Sequence, residues 1–157
     1  MIRRLVHVAA MFSIVPLAVT SCTPGAIGPA GNSSGAGALT IDVNLTTHLA
    51  ISSPLGMLQG YAPETTTVAV GTLIRFVNSD GFAHTATSIS GTSFPASTPF
   101  TLAAFTPSGS QISSGWSSGD LAAGASSPTF VADRPGTYLF GCAHHYGAPM
   151  RGVLVVQ

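Results

Sequence analysis

The chain contains no lysine, and its charge is limited to five Arg and five Asp or Glu among 157 residues. Without clustered basic side chains it has no means of neutralising a run of phosphates, which excludes nucleic acid as a partner. The two cysteines, Cys22 and Cys142, allow one disulfide at most, too few for a disulfide-stapled scaffold. No segment beyond the N-terminus shows a sustained helical period, which argues against a helical bundle. Solubility must therefore come from Ser, Thr, Gly and Asn.

The N-terminus reads as a targeting segment. Arg3 and Arg4 precede an apolar stretch from Leu5 to Val19, interrupted by His7, Ser13 and Pro16 and closed by Val19-Thr20-Ser21-Cys22. The stretch is too short to span a bilayer and is followed by a cleavage-type sequence of small residues, so residues 1–21 are expected to be a secretory signal. The position of Cys22 resembles a bacterial lipobox, which implies that Cys22 is lipidated and becomes the first mature residue. The protein would then be anchored to a membrane, without spanning it, on the extracytoplasmic side (periplasm or cell surface). Removing residues 1–21 leaves three Arg (75, 134, 151) against five acids (42, 64, 80, 120, 133), a net charge of −2. Residues 22–38 are Gly-, Pro-, Ala- and Ser-rich and read as a flexible tether. One domain is expected over 39–157. A lone Cys142 in an oxidising compartment needs protection or a function, and metal ligation supplies both.

Leu39, Ile41, Val43 and Leu45 alternate with polar residues, the pattern of a half-buried strand. Further strands are expected over Thr66–Val70, Leu73–Val77, His84–Ile89, Thr129–Val131, Thr137–Cys142 and Gly152–Val156. Asn78-Ser79-Asp80-Gly81 and Asp133-Arg134-Pro135-Gly136 separate them as turns. Many short strands with Gly/Pro turns predict an all-β antiparallel sandwich or barrel. Residues 91–124, rich in Ser, Thr, Gly and Pro, read as a long excursion holding a short strand or two.

Near the C-terminus, Cys142, His145 and Met150 follow one another in Cys142-Ala-His-His145-Tyr-Gly-Ala-Pro-Met150. His84 lies far upstream, after the 78–81 turn. Each alone has an ordinary structural reading: a buried small thiol, a turn His, a core Met. Together, a thiolate, two imidazoles and a thioether are the donor set of an electron-transfer copper site. Gly141 and Ala143 permit a sharp change of direction on either side of Cys142, and the strand after Met150 fixes the far end of the loop. His48 and Met57 have no evident partner and are expected to be structural or exposed.

The residues around these donors carry a family resemblance. The block from Tyr61 to Thr87, including Asn78 and His84, resembles the first half of a cupredoxin (blue copper protein) of the plastocyanin and pseudoazurin type. The block from Gly136 to Val153 resembles the second half, and Cys-x2-His-x4-Met matches the plastocyanin loop length. The resemblance implies a Greek-key β-sandwich with one type 1 copper ion, His84, Cys142 and His145 as equatorial ligands and Met150 as the axial one. It implies that one electron at a time passes through the exposed edge of His145. Tyr146, Gly147, Ala148 and Pro149, with Phe82 and Ala83, would then form a small uncharged surface for brief docking of a redox partner protein. Thr85 stands where the family usually has an Asn that ties the two ligand loops together, and its hydroxyl is the available substitute. His144 occupies a place where the family often has Pro, and one step from His145 it should point elsewhere.

The expected function is membrane-tethered electron transfer by a monomer, without enzymatic activity. A copper carrier or copper-resistance protein is the alternative, weighed down by the paucity of Met in the mature chain. An enzyme using Cys142 as nucleophile with His144 or His145 as base would need hydrogen bonding that a three-residue spacing on a tight loop makes awkward.

Overall fold

The computed structural model describes residues 37–157. Cys22, the signal at 1–21 and residues 22–36 of the tether lie outside the described residues. Among the described residues there are twelve strands: β1 (Leu39–Val43), β2 (Ile51–Ser53), β3 (Gly56–Leu58), β4 (Tyr61–Ala62), β5 (Thr65–Val68), β6 (Leu73–Asn78), β7 (Thr87–Ile89), β8 (Pro107–Ser108), β9 (Ser117–Ser118), β10 (Phe130–Val131), β11 (Gly136–Gly141) and β12 (Arg151–Val156). The helical elements among the described residues are two short 3₁₀ turns, Leu102–Phe105 and Ile112–Ser114.

The strands form a Greek-key-type β-sandwich. One sheet has the order β10-β6-β1-β4, the other β5-β12-β11-β7-β9-β8, and β2–β3 form a separate hairpin. Most pairings are antiparallel, as expected from the sequence. Each sheet also contains one parallel pair, β1 with β6 and β12 with β5. These pairs arise because the chain crosses between sheets before returning beside an earlier strand.

Alternation decides which faces meet. In β6, Ile74, Phe76 and Asn78 are buried while Leu73 and Arg75 are exposed, and in β1 Ile41 and Val43 point the same way. They meet Phe140, Leu154 and Val156 of the second sheet, with Tyr61, Trp116 and Phe130 filling the layer. Phe76 stacks on Trp116 with centroids 5.2 Å apart, and Phe140 packs edge-on to both Phe76 (5.3 Å) and Tyr61 (4.8 Å). Such pairs add about 0.5–1.5 kcal/mol each beyond burial. The opposite face of the second sheet is also covered. Ile89, Leu139 and Val153 form a second cluster with Leu58 and Tyr146, closed by Leu55, Phe94 and Phe100. This double burial explains why residues 139–141 and 152–154 are buried without alternation.

The sandwich delivers three chain segments to one end: the turn after β6, the loop between β11 and β12, and residues 44–48 after β1. Phe140 lies opposite Gly152 in the β11–β12 ladder, and a Cβ at residue 152 would meet the Phe140 ring at 2.3 Å. Gly152→Ala is therefore expected to cost about 1–3 kcal/mol or more, read as a lower denaturant midpoint. An unchanged midpoint would contradict this packing.

Candidate metal centre

The loop between β11 and β12 is closed at its mouth. Past the last ladder pair, Gly141 with Arg151, the Cys142 N–H donates to the Met150 carbonyl at 3.0 Å. Inside the loop, the His145 carbonyl accepts from Ala148 N–H at 2.9 Å and from Met150 N–H at 3.3 Å. Cys142, His145 and Met150 are thus set by backbone bonds before any side chain acts. Gly141 leaves room for this turn: a Cβ there would stand 3.1 Å from the Met150 carbonyl and 3.3 Å from the Tyr146 ring.

His84 lies on the segment that runs from β6 of one sheet to β7 of the other. Asn78 closes the turn after β6, donating from Nδ2 to the carbonyls of Phe82 and Leu121 at 2.8 Å each and accepting from the Asp80 N–H at 2.9 Å. His84 exchanges two backbone bonds with Leu121, at 3.1 and 2.7 Å. His84 thus sits in an isolated bridge, and the strand expected from residue 84 begins only at Thr87.

Three donors converge. Cys142 Sγ lies 3.7 Å from His84 Nδ1 and 3.6 Å from His145 Nδ1, and the two Nδ1 atoms are 3.1 Å apart. A point equidistant from all three lies about 2 Å from each, the bond length of imidazole and thiolate to a first-row metal ion. The donor set therefore fits such an ion in both chemistry and size. His84 and Cys142 are fully buried and His145 half-buried. Met150 is fully buried, and its side chain stands against Gly60, where a Cβ would meet Met150 Cγ at 2.7 Å. Gly60 adopts φ +79°, so the missing side chain and the left-handed backbone both favour glycine there.

Thr85 joins the two loops. Its N–H donates to Cys142 Sγ at 3.3 Å, and its hydroxyl accepts from the Ala143 N–H at 2.8 Å. The hydroxyl thus makes a tie between the loops at the position where Asn is usual. His144 points away from the donors, with Nε2 2.7 Å from Asp120. His48 faces Asp42 at the same distance, and Met57 is exposed on β3. Phe82 is 45% exposed and lies over both imidazoles, 4.8 Å from the His84 ring and 5.3 Å from that of His145.

Tyr146 differs from expectation. It is only 2% exposed, because residues 94–100 fold over it. Its hydroxyl donates to the Pro95 carbonyl at 2.8 Å, Phe100 meets its ring edge-on, and the Arg151 guanidinium stacks 4.0 Å from its centroid. It anchors the loop from beneath and is withdrawn from any docking surface. Gly147 and Ala148 are exposed, and Ala83 and Pro149 are half-buried.

Asp80 was legible only as a turn residue. Burial alone would raise its pKa, but hydrogen bonds from Thr46, His84 and Gly81 outweigh it and hold the carboxyl well below the usual range. Burial lowers the pKa of His84, partly offset by Asp80. Burial and then the neighbouring imidazoles of His84 and His144 lower that of His145. Burial raises the pKa of Cys142, against the bond from Thr85. At neutral pH the metal-free donors are thus two neutral imidazoles and one thiol. Ion binding then releases a single proton, from Cys142. Apparent affinity should rise about tenfold per pH unit from neutral up to the thiol pKa and fall more steeply in acid, where both imidazoles protonate. Calorimetry in buffers of different ionisation enthalpy reads the proton count, and zero or two protons released near pH 7 would contradict these protonation states.

A family model for copper binding proteins of the plastocyanin/azurin family matches residues 48–157. A sequence comparison with curated proteins finds no match. Among solved structures, the chain is similar to a purple cupredoxin from Nitrosopumilus maritimus, at 19% identity and TM-score 0.48, over 76% of this chain and 99% of that one. It is similar to the oxidised form of plastocyanin from Dryopteris crassirhizoma, at 22% identity and TM-score 0.45, over 75% of this chain and 99% of that one. It is also similar to a Cu(I) form of an amicyanin variant, at 15% identity and TM-score 0.49, over 79% of this chain and 86% of that one. The family match covers well over half of the chain and contains His84, Cys142, His145 and Met150. The chain belongs to the plastocyanin/azurin family of copper binding proteins, and copper is its cofactor.

Proposed function

We propose that this protein carries one electron at a time between redox partner proteins, with His84, Cys142 and His145 holding the ion and Met150 as a weak fourth donor. The observation that carries the reading is the convergence of one thiol sulfur and two imidazole nitrogens on a single point between braced loops. Copper bound there supplies a one-electron couple, thiolate and thioether suiting Cu(I) and imidazole suiting both states. The chain's own part is to hold still. Backbone bonds at the loop mouth, the Thr85 tie and the Tyr146 anchor fix the donors, so little rearrangement accompanies a change of charge. The N–H of Thr85 stabilises negative charge on the sulfur.

Half-buried His145 offers the route outward. Phe82, Ala83, Gly147, Ala148 and Pro149 form the uncharged rim on which a partner would dock. We place the protein outside the cytoplasm, as a monomer anchored through lipidated Cys22 and standing off the membrane on residues 22–38. Among the described residues no helix is long and apolar enough to cross a membrane.

Burial argues against cargo delivery. A carrier passes its ion by ligand exchange, which needs a reachable thiol, whereas Cys142 is 0% exposed.

Adding Cu(II) to the purified protein should produce an intense visible thiolate-to-copper band with reversible one-electron reduction. A pale site binding only Cu(I) would favour carriage, and failure to bind copper would defeat both readings. Cys142→Ser should abolish the band. Met150→Leu should retain it while raising the reduction potential, because a donor to Cu(II) is lost; an unchanged or lower potential would count against Met150 as a ligand.

A further inference from the structure

Asp80 lies four residues before His84, is 7% exposed, and has every position on its carboxylate occupied. Oδ2 accepts from the N–H groups of Leu45 at 2.8 Å and Thr46 at 3.1 Å and faces His84 Nε2 at 3.1 Å. Oδ1 accepts from the Thr46 hydroxyl and the Gly81 N–H, both at 2.8 Å. An ionised carboxylate only accepts, so the proton of the neutral imidazole sits on Nε2 and its lone pair on Nδ1, the atom facing Cys142 and His145. Neither Arg nor another cation is among these partners, so dipoles hold the negative charge in place without cancelling it.

We propose that Asp80 is a positioning residue that acts through His84. By accepting the Nε2 proton it fixes the ring and its tautomer, and by its charge it strengthens the Nδ1 donor and favours Cu(II) over Cu(I). A carboxylate behind a metal-bound imidazole raises the basicity of that ligand. The more highly charged oxidation state gains more from it, so the reduction potential is set lower than the inner donors alone would give. This inference rests on the copper-site reading above and adds a determinant of the potential outside the donor set.

The test compares the copper-loaded full-length chain with Asp80→Asn and Thr46→Val by voltammetry and visible spectroscopy. Asparagine retains an acceptor for His84 but removes the charge. The visible band should persist while the preference for Cu(II) over Cu(I) drops tenfold or more, a rise of about 59 mV for one electron. Thr46→Val removes one bond to Oδ1 and keeps the charge, so its potential should stay level or fall. A folded, coloured Asp80→Asn protein with an unchanged or lower potential would overturn the proposal. So would an equal rise in both variants, since Asp80 would then merely brace residues 44–48. If Asp80→Asn fails to fold, the Cu(I) wild-type protein still decides by NMR: a slowly exchanging, downfield His84 Nε2–H supports the proposal and its absence defeats it. Wild-type protein that bound no copper would instead defeat the site reading itself.

Discussion

The two segments that carry the donors are joined through one residue. Thr85 gives its N–H to the Cys142 sulfur and takes the Ala143 N–H on its hydroxyl. Thr85 leads into β7, which pairs with β11 in one sheet with Thr87 opposite Gly141, and the Thr85 bonds continue that pairing beyond the ladder to the donors. Sheet pairing sets the approach to within a few ångströms, and the two bonds set the remainder. Buried hydrogen bonds of this kind are costly to leave unmade, which is why a hydroxyl at residue 85 matters more than its small size suggests.

Residues 91–124 have a part in the same construction. They run along the flank of the site and touch it repeatedly: Pro95 and Phe100 on Tyr146, Phe105 and Asp120 beside His144, Leu121 on the His84 backbone. The excursion acts as a buttress, closing one side of the loop between β11 and β12 while the Phe82 side stays open. Its two short strands, β8 and β9, extend the second sheet beside β7.

What could be read from sequence was what is local. Alternation in 39–45 revealed β1, β-branched and aromatic residues in 73–77 revealed β6, and the spacing of Cys142, His145 and Met150 showed a loop able to return on itself. His84 was recognisable from its turn and the chemistry it shares with Cys142. The β2–β3 hairpin was missed because three-residue strands are too short to display a period. The parallel pairing of β1 with β6 leaves no local trace, since register there depends on a chain that has visited the other sheet. Tyr146 was expected at the surface because nothing in its neighbourhood reveals that residues 94–100 cover it. Asp80 was visible within Asn78-Ser-Asp-Gly, where turn propensity hid the carboxylate's orientation toward His84. Gly60 carries no signal at all, since its importance lies in the space it yields to Met150.

The charges of this chain are few. Among the described residues three Arg stand against five Asp or Glu, and one of those acids, Asp80, is buried. Such a surface casts a weak, short-ranged field and cannot draw a partner in from a distance. Under the proposed electron-transfer role, encounter would then depend on how near a partner is held, and exchange through His145 would be a matter of proximity and turnover rather than of affinity.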